Sequence, residues 1–251
     1  MKIVSFGGGV QSTAMAILAV QGKIEVDAFV FCDTGFEQSI VFDFLETRTK
    51  PMLEKAGIPF YTAKTEDYAA KDFGNFALPA FYTINSKNGD ITRSGGMFCS
   101  DKWKKQVFRR FLMHEFNAKT YQVLMGFSTD EMHRAGRVKQ TKKYQHRFPL
   151  LDLRMNRSEC SLLVERTFNV TPPKSSCIFC PNHKQSEWID VKSSCDWERL
   201  IEIDKAIRAS NLENGIERQF ITPDCKPIDK VDFNEKNETI FSRLCAGECF
   251  L

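Results

Sequence analysis

Two groups of residues have types and spacings that can do chemistry. The first is Gly7-Gly8-Gly9, set between the apolar KIVSF and the stretch QSTAMAILAV, with Gln11, Ser12 and Thr13 directly after it. Glycine lets a backbone come close to an anion. The N–H groups of such a turn, and of the helix it opens, then converge on that anion. Ser12 and Thr13 add hydroxyl donors, so the chemistry this group suits is phosphate binding. The second group is sulfur. Cys177 and Cys180 form a C-x2-C pair followed by Pro181 and His183, and Cys245 and Cys249 form a C-x3-C pair. Two close pairs of thiolates suit a tetrahedral zinc site or an iron–sulfur cluster, and thiolates serve both.

The glycine turn is neither of the common phosphate loops. A Walker loop needs a lysine before its hydroxyl residue, and none is present. A dinucleotide fingerprint needs a third glycine where Ser12 stands.

The elements that must position these groups can be read along the chain. KIVSF is a short buried strand, and QSTAMAILAVQG a helix that Gly22 ends. VDAFVFCDTG is a second buried strand, ending at Asp33-Thr34-Gly35. A helix from Gln38 to about Ala56 and a third strand in GIPFYTA complete a β-α-β-α-β order. That order predicts an α/β fold, an open parallel sheet with helices on both faces. Residues 65–98 read as an irregular, substrate-facing excursion. A basic helix is expected over Ser100–Phe116, a buried strand in TYQVLM, and a mobile polar loop from Glu131 to His146. RFPLLDL reads as extended, NRSECSLLVERTF as a capped helix, and 186–210 as one further helix. The division expected is a nucleotide-binding domain over 1–165 and a small cysteine-rich, metal-binding unit over 166–251.

Bulk composition narrows the class. The chain has 251 residues, 42% of them hydrophobic, enough for one sizeable core with a small added unit. No apolar run reaches membrane-spanning length, and the N-terminus does not read as a signal peptide. A cytoplasmic protein without a membrane partner is expected. Nine cysteines in such a compartment point to metal or redox chemistry rather than disulfides. Net charge is only +3, but Arg93–Arg147 holds 13 Lys/Arg against 4 Asp/Glu, leaving 22 against 28 elsewhere. That basic middle suits an anionic partner, nucleotide phosphates or a nucleic acid, or simply forms a solvated face.

SFGGGVQSTA resembles the pyrophosphate loop of the ATP-pyrophosphatase (PP-loop, adenine nucleotide α-hydrolase-like) superfamily, nearest its PAPS-reductase-like branch. Gly7 stands where the general loop has its first serine, and Gln11 replaces the loop aspartate. FCDTGFE, MFCSDKWKKQVF, MGFSTDEMHR, CIFCPNH and CAGEC are similar to further elements of that branch, in the same order. The resemblance implies nucleotide binding by Ser5, Phe6, Gly7, Gly8, Gly9, Gln11, Ser12, Thr13, Asp33, Thr34, Gly126, Ser128, Glu131 and Arg134. Ser12 and Lys104 would act on the reacting phosphates, with ATP as cosubstrate and Mg2+ held largely by phosphates and water. Cys99 takes the place of one cysteine of a ligand pair in the iron–sulfur reductases. It is then either a metal ligand with Cys177, Cys180 and one of Cys245 and Cys249, or a free thiol that carries sulfur or acts as nucleophile. In the second case the two pairs hold a [4Fe–4S] cluster or Zn2+ alone, and Arg93, Lys102 and Lys104 would favour the Cys99 thiolate.

The function this implies is cleavage of ATP between its α- and β-phosphates to adenylylate or thiolate an acceptor. The partners implied are an adenine nucleotide, a nucleic-acid acceptor or sulfur-donor protein, and a second copy of the chain. Two alternatives stand beside it. One is a thiol-dependent sulfonucleotide reductase, for which Glu248-Cys249 is similar to part of the nucleophile segment. The other is a non-catalytic binding module with a structural zinc site. Smaller expectations concern single residues. Asp33 contacts ribose or magnesium or caps a helix, and Glu131 holds a metal or pairs with Arg134. Trp103 stacks on a base or packs. Cys32, Cys160, Cys195 and Cys225 are small, mostly buried residues without chemistry.

Overall fold

A computed structural model describes residues 1–68, 81–85, 87–94, 99–210 and 219–233. The chain divides into two compact units, and each takes two stretches of sequence. The first is Met1–Ala69 with Lys104–Ser175, and the second Ala70–Trp103 with Ser176–Phe250. The second unit thus takes in 70–103 as well as the cysteine-rich tail.

In chain order the first unit begins with β1 (Lys2–Phe6), α1 (Val10–Val20), β2 (Ala28–Asp33), α2 (Ser39–Phe44), a π turn over Leu45–Thr49, α3 (Lys50–Lys55) and β3 (Phe60–Lys64). A helical turn, α4 (Thr65–Tyr68), leads to the second unit's hairpin, β4 (Phe81–Ile84) and β5 (Ile91–Ser94). The first unit resumes in the π turn Ser100–Lys105, which straddles the division. Then come α5 (Gln106–Glu115), β6 (Tyr121–Met125), α6 (Met132–Ala135), β7 (Tyr144–Arg147), α7 (Pro149–Asp152) and α8 (Arg157–Phe168). The second unit closes with α9 (Gln185–Lys192), α10 (Trp197–Ser210) and β8 (Gln219–Phe220).

The first unit's sheet has the order β3-β2-β1-β6-β7, and every neighbouring pair is parallel. Alternate residues of each strand point to opposite faces, and here both faces are covered. Val4, Phe6, Phe29, Phe31 and Leu124 pack on one side with α1, α3 and α8. Ile3, Ala28, Val30, Cys32, Ala63 and Val123 pack on the other with α5. This explains why β2 reads as an unbroken apolar run: both its faces are core. It also confirms an open parallel α/β sheet with helices on both faces.

Four readings from the sequence are corrected. The segment Glu131–His146 is not simply a loop, because it contains α6 and the parallel edge strand β7, paired with β6 from Tyr121↔Tyr144 to Leu124↔Arg147. YQHR is polar because its residues alternate between half-buried and exposed, so no apolar run marks it. RFPLLDL is not extended; Pro149 starts the one-turn helix α7, where its fixed φ suits the first turn. The helix expected over 186–210 is two. Ser194 Oγ donates to the Val191 carbonyl and accepts from Asp196 N–H, and Asp196 then opens α10 by accepting from Leu200 N–H. The helix expected over 38–56 is continuous in direction but carries the π turn just before Pro51. Proline lacks the N–H that a regular turn would use there, and its ring crowds the carbonyl four residues back.

In the second unit β4 pairs antiparallel with β5 and with β8. The hairpin and α4 lie within the span 65–98 that reads as irregular from sequence; residues 69–80, 86 and 95–98 of that span are outside the described residues. Among the described residues no helix is long and apolar enough to cross a membrane.

Candidate functional site

The sheet order places one topological switch point in the first unit. From β1 the chain winds outward through β2 to β3, then returns to the far side of β1 with β6 and β7. In open α/β sheets the loops at the carboxyl ends of the strands diverge at such a point and leave a ligand crevice. The loop after β1 is Gly7-Gly8-Gly9, and the loop after β6 runs from Gly126 to Arg134. The first turn of α1, which the glycines open, touches the segment after β6: Gln11 Nε2 donates to Glu131 Oε2 at 3.1 Å.

The glycines are needed for geometry. Gly8 has φ +78°, and a Cβ there would sit 2.9 Å from Val41 Cγ1 and 3.5 Å from Phe31 Cε2. A side chain would be strained and would clash. Gly9 is the N-cap of α1, and a Cβ on it would come 3.3 Å from Ser175 Cβ. The Ser175 hydroxyl also donates to the Gly7 carbonyl. Gly126 lets the end of β6 approach α1, since a Cβ there would meet Met15 Sδ at 3.1 Å.

The remaining nucleotide-site residues divide by where their side chains go. Ser12 is turned back on the loop: its Oγ accepts from Gly9 N–H at 3.1 Å and donates to the Gly9 carbonyl at 3.0 Å. Thr13 is fully buried. Phe6 is core, with its ring edge-on to Phe29, Phe31 and Phe60, so only its backbone faces the loop. Ser5 is half-buried on β1 between Val30 and Met125. The donors this turn can offer an anion are therefore mainly backbone N–H groups at the mouth of α1, where a helix leaves them without internal acceptors.

After β6, Ser128 is fully buried and its hydroxyl reaches Asp130 Oδ2 at 3.4 Å. Asp130 also accepts from Arg157 N–H at 2.6 Å, anchoring the start of α8. Glu131 pairs with Arg134. Arg134, only 4% exposed, lies 4.6 Å over the Phe127 ring, which is stacked on Phe148. Of the two arrangements expected for Glu131, the ion pair with Arg134 is the one present here.

After β2, Asp33 Oδ1 accepts from Gly35 N–H at 2.6 Å, closing a turn rather than capping a helix. Thr34 donates from both N–H and Oγ1 to Glu37 Oε2, at 3.1 and 2.7 Å. Glu37 is 1% exposed, and its other oxygen lies 3.2 Å from Lys104 Nζ. Sequence reading missed Glu37. The signal was present as Thr34-x-x-Glu37 before a helical stretch, the spacing of a capping box. Ser175 was also missed, and no local pattern marks it.

The thiols differ sharply. Burial pushes the Cys32 and Cys160 thiols up to about 12 and raises that of Cys225; all three are buried, as expected, and their thiolates are disfavoured. Cys195 is exposed, contrary to expectation, because it lies in the break between α9 and α10. In the second unit Cys177 and Cys180 form a tight turn, with Cys180 N–H donating to the Cys177 carbonyl at 3.1 Å and His183 N–H to the Cys180 carbonyl at 3.0 Å. His183 Nε2 donates to the Cys177 carbonyl at 2.8 Å, which takes that nitrogen out of metal coordination. Its ring packs on Trp188, 4.6 Å between centroids. Among the described residues no group of three or more His, Cys, Asp or Glu is gathered for a metal, so Cys99, Cys177 and Cys180 do not form such a group by themselves. Cys245 and Cys249 lie outside the described residues. Trp103 is 2% exposed and packs rather than offering a face to a base.

No protein-family model matches this sequence, and no curated protein matches it. Among solved structures, the U34-tRNA thiolase NcsA from Methanococcus maripaludis, with its [4Fe–4S] cluster, aligns over 94% of this chain and 74% of its own. The TM-score is 0.44 and the identity 17%. Likeness at that level transfers no activity, ligand or residue role. The geometry by itself makes this chain an α/β protein with an open parallel sheet, covered on both faces, whose switch point carries a glycine turn.

Proposed function

We propose that the chain is an ATP-dependent enzyme that cleaves its nucleotide between the α- and β-phosphates and passes the adenylyl group, or subsequently sulfur, to an acceptor. One observation carries the reading. The start of α1, directly after the glycine turn, and the Gly126–Arg134 segment, far apart in sequence, meet at the switch point through Gln11 and Glu131. Backbone N–H groups at Gly7, Gly8 and the start of α1 would hold the leaving pyrophosphate, and Arg134 and Lys104 would offset its charge. Ser12 would swing from Gly9 to the phosphates. Asp33 and Thr34, at the end of the adjacent strand, would face the nucleoside and its Mg2+. The basic stretch from Arg93 to Arg147 suits a nucleic-acid acceptor.

For the sulfur site we propose Cys177 and Cys180 with Cys245 and Cys249, or with Cys99 and one terminal cysteine. The described knuckle supplies two of the thiolates such a site needs. A bound [4Fe–4S] cluster would supply sulfur or electron chemistry, and Zn2+ would supply only structure.

The test uses full-length protein purified without oxygen and incubated with α-labelled ATP and bulk tRNA. The expected result is AMP or an adenylylated product with stoichiometric pyrophosphate, and iron with acid-labile sulfide in the same preparation. Release of ADP and phosphate would overturn the α–β assignment. Inert ATP with thiol-dependent reduction of an adenylylsulfate would establish the reductase instead. ATP binding without turnover, beside stoichiometric zinc, would leave a binding module.

A further inference from the structure

The loop after β2 holds a buried carboxylate that the proposed reaction does not use. Glu37 is 1% exposed. Its Oε2 accepts from Thr34 N–H and Oγ1, and its Oε1 faces Lys104 Nζ at 3.2 Å. A carboxylate this far out of water is costly unless it is paired and hydrogen-bonded. The contact with Thr34 does not need the charge, because glutamine serves the same capping geometry. The ammonium of Lys104 does.

Lysine is a point charge on a flexible stem, and here both ends of Lys104 are tied. Its carbonyl accepts from Cys32 Sγ at 3.5 Å, and its ammonium faces Glu37. The place matters as well. Gly8 rests against Phe31, on β2, and Val41, on α2. Glu37 lies in the short segment joining those two elements. The carboxylate therefore sets the lysine charge at the carboxyl edge of the sheet, on the segment that supports the glycine turn.

We infer that Glu37 is a positioning residue: it orients the Lys104 ammonium for the phosphates bound at the glycine turn. The inference rests on the ATP-cleaving function proposed above. Glu37→Gln keeps the cap on Thr34 and removes the charge. The full chain carrying Glu37→Gln, Lys104→Met or both is assayed for ATP cleavage. Glu37→Gln is expected to lower kcat by about 10- to 100-fold, as loss of an orienting partner does elsewhere, with a smaller change in KM. The double variant is expected to be no slower than Lys104→Met alone, because the two residues act as one unit.

A nucleotide-free measurement accompanies it: acylation of Lys104 by an amine-reactive reagent, read by mass spectrometry. Acylation should rise severalfold in Glu37→Gln. Wild-type kcat in Glu37→Gln, losses that multiply in the double variant, or unchanged acylation would each overturn the inference. If acylation rises but the wild-type protein neither binds nor cleaves ATP, the ion pair stands and both its assigned purpose and the ATP reading fall.

Discussion

The switch-point end of the first unit and the Cys177–His183 turn of the second both gather polar groups, but they are held in different ways. The knuckle is closed mainly by local contacts, with a distant tie from Arg93 Nη2, which donates to Asn182 Oδ1 at 2.6 Å. Cys180 N–H, His183 N–H and His183 Nε2 all bond within six residues, and Trp188 seals it one helical turn further on. The switch point is closed by distant residues. Gln11 meets Glu131, Ser175 meets Gly7, and Glu37 meets Lys104. The local site has a chain order that announces it. The distant one exists only because the sheet brings strands β1, β2 and β6 together. Loss of one contact should therefore act differently in each: the knuckle depends on a few tightly packed atoms, and the switch point spreads its support over several elements.

Three substitutions test that contrast. The largest effect is expected for His183→Ala, which leaves the Cys177 carbonyl with Cys180 N–H as its remaining donor and opens a cavity against Trp188. A stability loss of about 2–4 kcal/mol in urea denaturation is expected, with faster hydrogen exchange confined to 177–188. Equal acceleration at 7–13 would show that the two regions do not differ in the way argued. Gly8→Ala comes next. The positive φ and the approach to Val41 predict a loss of about 1–3 kcal/mol, with exchange rising in the loop and in α2 together. A neutral result would remove the close approach from the argument. The smallest effect is expected for Gln11→Ala, which removes one part-buried hydrogen bond worth about 0.5–1.5 kcal/mol. Exchange at Glu131 and Met132 should rise while the rest of the sheet stays protected. A loss as large as that of His183→Ala would mean that the switch point hangs on one contact after all.

Much of the fold is legible in sequence, and the reasons are local. Apolar runs in β1, β2 and β6 are dense because both sheet faces are buried. Asn156 caps α8 and accepts from Glu159 N–H, the reciprocal box its spacing implies. The glycine turn is legible because phosphate-type loops need small residues at fixed places. β7 was not legible, because an edge strand half open to water carries no apolar period. Sequence leaves Trp103 open between stacking and packing, because an aromatic residue beside lysines reads the same whether buried or exposed; its burial decides for packing. Glu37 was missed because a carboxylate three residues from a threonine reads as a cap, and nothing local reveals that a lysine far along the chain completes the pair.

The sequence alone determined the strand–turn–helix order, the residue types at the phosphate turn and the thiol pairs, since these depend on backbone sterics and on spacing within a few residues. Only the tertiary structure decided which loops share the switch point, that Glu131 is tied to Gln11 and Arg134, and that Glu37 is buried against Lys104. Those are contacts between strands and loops far apart in the chain, and the energy that selects them comes from burying both faces of the sheet at once.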